Sequence, residues 1–460
     1  MITKNTFVVT IITVLGILFG TSCEKKILHE TNQVAPTSKS TFIPLQSAIE
    51  HLDSFLDAIS FRTRSGCSPQ YDIASISIIS TRNKINTRAS GFEDIPDTLL
   101  YLVNFSSGEG FAILAADSRI SSPVICLTES GTISQEEFDS ALLCFQDNAY
   151  KSIDPQYKEM GMRIISSLIL SSALSSINSA QKGRGDGGEG GNEDETDEMD
   201  DDFFLPYDPG SSSGGSPQPR SFGPYLKTKW TQTMDPFNRY TPNHYPAGCS
   251  CVALAQLLVA DKQIDSIVFN GVSCKFDEME TVHDYTNHLS SYNGSDTAKE
   301  QVANFMVALG SSNYLNLEYS SSGSHPNDLL DTGTPLRDAM QQLGYNASKE
   351  YGLFSFTNSM KQTTYDLLKE GHPVLAQAST SSGDGHVWVI DGYEFIPSMS
   401  FTGQYFHINW GWHGERDGYY NMGVFNTING QFANSTYDNL SQLNMGDNMN
   451  FTWDFAIIDY

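Results

Sequence analysis

Cys249 ends the run Tyr245-Pro246-Ala247-Gly248-Cys249 and is followed by the apolar stretch Val252-Ala253-Leu254-Ala255-Gln256-Leu257-Leu258-Val259. That stretch predicts a buried helix with a thiol at its N-terminus. Unpaired backbone N–H groups and the positive end of the helix dipole favour thiolate there. A free thiol of pKa ~8.5 is only slightly ionised at neutral pH, and pairing with an imidazolium lowers that value to ~3.5–7.5. Downstream, His386 opens the strand-like run Val387-Trp388-Val389-Ile390-Asp391-Gly392, and Asn409-Trp410 closes Tyr405-Phe406-His407-Ile408. A thiol on a helix, with an imidazole and an amide on later strands, points to nucleophilic thiol chemistry.

Amide hydrolysis by a thiol needs a nucleophile, an acid/base, a group that holds that base, and donors for the oxyanion. Cys249 and His386 fill the first two roles, His386 reaching out from a rigid strand after the flexible Ser382-Gly383-Asp384-Gly385. Asn409 is expected to hydrogen-bond the second ring nitrogen of His386, and Trp410 to cover that contact from water. Strand alternation puts these two on opposite faces, so they play different parts. The backbone N–H of Cys249 and the side chain of Gln232, in Trp230-Thr231-Gln232, are the oxyanion donors. Cys251 cannot share the cleft, because two residues along a helix turn a side chain by about 200°. It is expected in the core, or paired with Cys274. His407 and His413 fit packing or surface roles. There is no His-Glu-x-x-His helix and no cluster of Cys and His at metal spacing, so neither metal nor cofactor is expected.

These residues need two folded units to position them. The chain has 460 residues, and its net charge of −27 excludes a nucleic-acid surface, which needs clustered Lys and Arg. Residues 1–22, with Lys4, an apolar run from Phe7 to Phe19 and then Gly20-Thr21-Ser22, have the pattern of a secretory signal. Cys23, directly after those small residues, resembles the lipidated cysteine of bacterial lipoproteins. That predicts an exported protein, lipid-anchored at the bacterial cell envelope, with residues 23–40 as a polar tether. Residues 41–181 predict a small α+β unit. In it Ala48, Ile49, Leu52, Phe55, Leu56 and Ile59 recur at helical spacing, and Leu100–Phe105 with Phe111–Leu114 form a hairpin. Ser134 and Glu137 suit the start of a helix carrying Phe138, Leu142 and Leu143.

Residues 182–222 are Gly-, Ser- and Pro-rich and hold the acidic run Glu193–Asp202, the composition of an extended, protease-accessible linker. The glycine pattern at Gly183, Gly185 and Gly188 has no flanking strand and helix, so it is compositional. Residues 223–460 predict a second α+β unit, helices first and strands from Val374 onward, with helices at Pro335–Leu343 and Tyr365–Lys369 and its two halves meeting at a cleft. The pairing of Cys67, Cys126, Cys144, Cys251 and Cys274 stays open, since export permits disulfides without requiring them.

The second unit resembles the streptopain family of papain-like cysteine peptidases nearly end to end. The likeness runs through Trp230-Thr231-Gln232 with Pro236-Phe237-Asn238, Ala247-Gly248-Cys249 with Ala255-Gln256, Gly385–Tyr393, and Phe406–Trp412. The first unit is similar to the family's propeptide at Val103-Asn104-Phe105 and Gly110–Asp117. The resemblance implies a two-lobed peptidase domain with Cys249 as nucleophile, His386 as base, Gln232 in the oxyanion hole and Trp410 beside the histidine. It also implies a zymogen whose own propeptide inhibits it until the linker is cut, acting on protein and peptide substrates with an apolar residue near the scissile bond. Three positions depart from the pattern: Cys251 where a small residue is usual, His413 where glycine is expected between Trp412 and Gly414, and His372 before Pro373-Val374. The main alternative is a non-catalytic cell-surface adhesion protein using the same cleft or Arg184-Gly185-Asp186; a second is an inhibitor of other peptidases.

Overall fold

The computed structural model describes residues 40–60, 71–81, 96–138, 157–182, 219–269, 271–286, 291–326, 333–353, 355–380, 385–397, 402–425 and 453–460. The signal, the tether with Cys23, Cys67, Cys144, Leu142, Leu143 and nearly all of the acidic linker lie outside these residues.

In chain order the elements are α1 (Leu45–Ser60), β1 (Ile73–Ser80), β2 (Thr98–Phe105), β3 (Phe111–Ala115), β4 (Val124–Thr128) and α2 (Tyr157–Lys182). Then come β5 (Arg220–Phe222), α3 (Cys249–Asp261), β6 (Ser266–Phe269), β7 (Val272–Lys275), α4 (Phe276–Glu280), β8 (Tyr285–Thr286), β9 (Ser291–Tyr292) and α5 (Asp296–Leu309). The remainder are β10 (Leu317–Ser320), β11 (Gly323–Pro326), α6 (Thr334–Gln342), β12 (Ser348–Gly352), α7 (Asn358–Glu370), β13 (Val374–Thr380), β14 (Gly385–Pro397), β15 (Thr402–Asn409), β16 (Gly418–Asn421) and β17 (Trp453–Asp459). The fold is mixed α+β, as expected.

Eleven strands share one sheet in the order β1-β2-β3-β4-β16-β15-β14-β13-β17-β12, with β5 pairing β14 off this path. Thr41–Tyr460 forms one compact unit. The join between the N-terminal and C-terminal halves of the sheet is the antiparallel pair β4–β16, in register Gly418↔Thr128, Tyr419↔Leu127 and Tyr420↔Cys126. Arg220–Phe222, at the end of the segment expected to be linker, instead lies against Tyr393–Phe395 of β14.

Burial follows the sequence periodicities. On α1, Ala48, Leu52 and Phe55 bury one stripe beside Tyr101, Val103 and Leu114. By contrast, α3 is buried from Ser250 to Val259 on every face, because it runs through the core between the sheet and the other helices of its half. Alternation along β14 sends Val387 and Val389 into the cluster around α3, and Trp388 and Ile390 into the cluster that contains α2 residues such as Leu168 and Ile169. The helix expected at Tyr365–Lys369 is longer, beginning where Thr357 accepts a hydrogen bond from Met360 N–H and ending at Gly371 with φ +99°.

Candidate active site

The turn into α3 is set by Gly248. Its φ of +94° suits glycine, and a Cβ there would lie 2.7 Å from the Ser324 carbonyl oxygen. Cys249 is therefore the first helical residue, half-buried and free. Burial pushes its thiol pKa up, against the N–H of Val387 and the bonds of Ser250, which favour the thiolate. The expectation of a thiolate does not hold for this state, since desolvation outweighs the helix N-terminus. The Val387 contact brings the sulfur to the start of β14, one residue beyond His386.

His386 is 4 % exposed and lies in an indole cage. Its ring centroid is 4.8 Å from that of Trp412, 6.0 Å from Trp410 and 6.3 Å from Trp388, all near-parallel. Nε2 is 2.9 Å from the Trp410 carbonyl oxygen. A carbonyl can only accept, so Nε2 carries the hydrogen and the neutral ring keeps its lone pair on Nδ1. Burial lowers the ring to about 4, the Trp410 bond only partly opposing it. Both shifts oppose a thiolate–imidazolium pair in this state.

Asn409 does not orient His386, and this corrects the expectation. Its Oδ1 accepts from Gln256 Nε2 and from Gly411 N–H, each at 3.0 Å, and its Nδ2 donates to the Thr228 carbonyl oxygen at 3.0 Å. Gln256 of α3 also accepts from Trp230 N–H at 2.9 Å and Thr228 Oγ1 at 3.1 Å. Asn409 thus ties strand β15 to the helix that carries Cys249. It faces away from Trp410, as alternation requires. The carbonyl of Trp410 takes the place assigned to the amide of Asn409.

Gln232 is 2 % exposed, and its Nε2 is buried without a hydrogen-bond partner among the described residues. The main-chain carbonyl oxygen of Gln232 accepts from Ala247 N–H at 2.8 Å, which fastens the residue to the turn that delivers Cys249. A buried donor left open costs about 1–3 kcal/mol, and this one is available to a water or to a ligand oxygen.

The other candidates have structural partners. Cys251 is fully buried and free, its Sγ donating to the Met306 carbonyl oxygen at 3.2 Å; Cys274 is also free. His413 has φ +61°, the glycine-favouring region, and stacks on Tyr292, whose hydroxyl is 2.9 Å from its Nδ1. His372 sits 2.5 Å from Asp261 at the far end of α3. A hollow of about 660 Å³ lined by Arg239, Lys275, Glu278 and Glu300 contains none of the site residues, and these charges pair with one another.

Two carboxyl groups escaped the sequence reading. Asp391 occupies a register shift in β14, from which Oδ1 meets His407 Nδ1 at 2.6 Å and Oδ2 accepts from Leu226 N–H at 3.0 Å. Asp417, 2 % exposed, accepts from Trp410 N–H at 2.9 Å. Neither could be found from sequence, because Asp391 is defined by its partner on β15 and Asp417 by the closure of the loop that begins after Trp410.

An all-round buried helix with a cysteine at its start, set against an antiparallel sheet that presents a caged histidine, is the architecture the motifs implied. The sequence model of the Peptidase C10 family matches residues 230–420, and over that segment the chain is similar to this family. Streptopain of Streptococcus pyogenes serotype M28 is 28 % identical over 149 residues, which is 31 % of this chain and 34 % of that protein. Streptopain of serotype M1 is 29 % identical over 150 residues. The matched stretch thus spans about a third of the curated relatives' length. Among solved structures, a prointerpain A fragment of Prevotella intermedia, in a cysteine-to-alanine form, aligns with a TM-score of 0.45 and 17 % identity over 83 % of this chain and 98 % of the other. Active wild-type interpain A of the same organism aligns at 0.33 and 21 % over 51 % of this chain and 94 % of its own.

Proposed function

We propose that the chain is a cysteine endopeptidase made as a zymogen, in which Cys249 attacks the peptide carbonyl and His386 moves the protons. The observation that carries this reading is the open donor of Gln232, buried beside the turn of Cys249. In the first step the sulfur adds to the carbonyl carbon, and the charge that develops on oxygen is met by Cys249 N–H and Gln232 Nε2. His386, protonated through Nδ1 while Nε2–H stays on the Trp410 carbonyl, gives its proton to the leaving amine. A thioester remains. His386 then takes a proton from water, whose oxygen displaces the sulfur, and the acid product leaves with the ion pair restored.

Residues 41–181 act as the propeptide, residues 182–222 as the activation linker and residues 223–460 as the peptidase. Burial pushes the thiol up and the imidazole down, so both shifts oppose charge in this state. Forming the thiolate and the imidazolium together gives each a countercharge that offsets its desolvation. Residues 1–22 direct export, and lipidated Cys23 holds the precursor at the envelope; the peptidase is released once it parts from the cut propeptide.

The test uses reduced full-length protein with a trace of trypsin. Wild type is expected to acquire a new N-terminus between about Lys182 and Phe222, to cleave casein and to be labelled by an epoxide thiol inhibitor. Cys249→Ala loses labelling and turnover. Gln232→Leu keeps labelling but loses about 100-fold in kcat, the value of one oxyanion donor. Its melting temperature does not fall, because an open buried donor has been removed. Equal casein turnover by Cys249→Ala and wild type overturns the assignment.

A further inference from the structure

Strand β15 ends at Asn409 and β16 begins at Gly418, so the N–H of Trp410 has no strand partner and falls to a side chain. That side chain is Asp417, at the other end of the loop Gly411–Asp417. Trp410 is consequently gripped at both ends: its N–H by Asp417 Oδ1 at 2.9 Å, and its carbonyl by His386 Nε2 at 2.9 Å. We propose that Asp417 is a positioning residue for His386, acting through the backbone of Trp410. The inference rests on the reading of His386 as the acid/base.

Removing the grip leaves Trp410 N–H as a buried orphan and lets the residue rotate about its own φ and ψ, which swings the carbonyl that fixes the imidazole. The following residue, Gly411, has φ +74° and restrains that rotation weakly. An oxygen acceptor, rather than a charge, is what the geometry requires. Burial raises the Asp417 carboxyl to about 7, with the Trp410 bond and His407 on β15 favouring ionisation, and Glu129 after β4 and Asp391 on β14 opposing it. Tyr292 and Tyr420 also face it, while the guanidinium of Arg416 is turned to Glu137. Ionised or protonated, one carboxyl oxygen accepts from Trp410.

The experiment compares trypsin-processed, reduced full-length protein carrying Asp417→Ala, Asp417→Ser or Asp417→Asn. Serine stays polar but falls short of Trp410, and stands in for alanine if that variant misfolds. Asparagine keeps an oxygen in place. Two quantities are read: kcat and KM on casein, and the pH dependence of Cys249 alkylation by iodoacetamide. Alanine or serine is expected to lower kcat about 100-fold, the effect of a displacement near 1 Å, with KM unchanged. The alkylation limb moves up toward that of an isolated thiol, and asparagine restores both. A folded alanine or serine variant with wild-type kcat, a lower kcat with an unmoved alkylation limb, or an asparagine variant as slow as alanine overturns the proposal. Failure of the proposed function looks different: wild type itself then alkylates like His386→Ala.

Discussion

His386 and His407 lie on neighbouring antiparallel strands and are each 4 % exposed, yet they titrate in opposite directions. Around His386 are indoles and one carbonyl, and burial takes it down to about 4. At His407 burial also disfavours charge, but the charge and hydrogen bond of Asp391, then Glu129, outweigh it and carry the ring up to about 10. The difference teaches that depth does not decide what a histidine does; the countercharge does. His407 has its countercharge built in and serves as a fixed cation inside the sheet. His386 has none among these partners, and a thiolate at Cys249 is the group able to supply one.

The sharpest way to break this comparison is to remove each ring in turn. His386→Ala should cost about 10⁴-fold in casein turnover, while the cavity and the unpaired Trp410 carbonyl it leaves lower stability at pH 8 by about 1–3 kcal/mol. His407→Leu should lower stability further, by about 3–5 kcal/mol because Asp391 is left buried without its cation, while the folded fraction keeps its rate. Denaturant titrations at pH 8, with rates normalised to folded protein, separate the two.

The pH dependence sharpens the same contrast. Below about 6.5 the unfolded chain protonates His386, but the folded ring refuses the proton until about 4, so this residue withdraws stability as pH falls through that window. The raised ring of His407 works the other way: its contribution is complete below about 6.5 and is lost as pH climbs through about 10. Thermal melts across pH 4–10 should show a flatter acid limb in His386→Ala and a flatter alkaline limb in His407→Leu. Smallest of all is Glu129→Gln. The Glu129 side chain is 42 % exposed, so solvent screens its pair with His407, and the variant should lose well under about 1 kcal/mol, in a salt-dependent way.

How much of this was legible in the sequence depends on the range of the interaction. The start of α3 at Cys249 was, because glycine followed by an apolar run is a local signal. So were the opposite faces of Asn409 and Trp410 and the hairpin of β2 and β3, which follow from period-two alternation. The partner of His386 was not, because an amide at the end of the neighbouring strand and the backbone carbonyl next to it have the same reach on paper; only the loop after β15 chooses between them. Asp391 and Asp417 were illegible for the same reason, one set by a register shift and the other by the closure of a seven-residue loop. Burial also decided against the helix N-terminus at Cys249, and desolvation cannot be weighed before the neighbours are known.

The seam between β4 and β16 carries a last consequence. The proposed linker cut would sever a covalent tether but leave untouched the three residue pairs there, the Arg416–Glu137 bridge and the Ser172 bond to Gly423. The two fragments then remain a complex whose lifetime obeys an off-rate and whose reassembly obeys dilution. Once they part, β16 becomes a naked rim with its N–H and C=O groups unclaimed, a template for any extended chain that arrives.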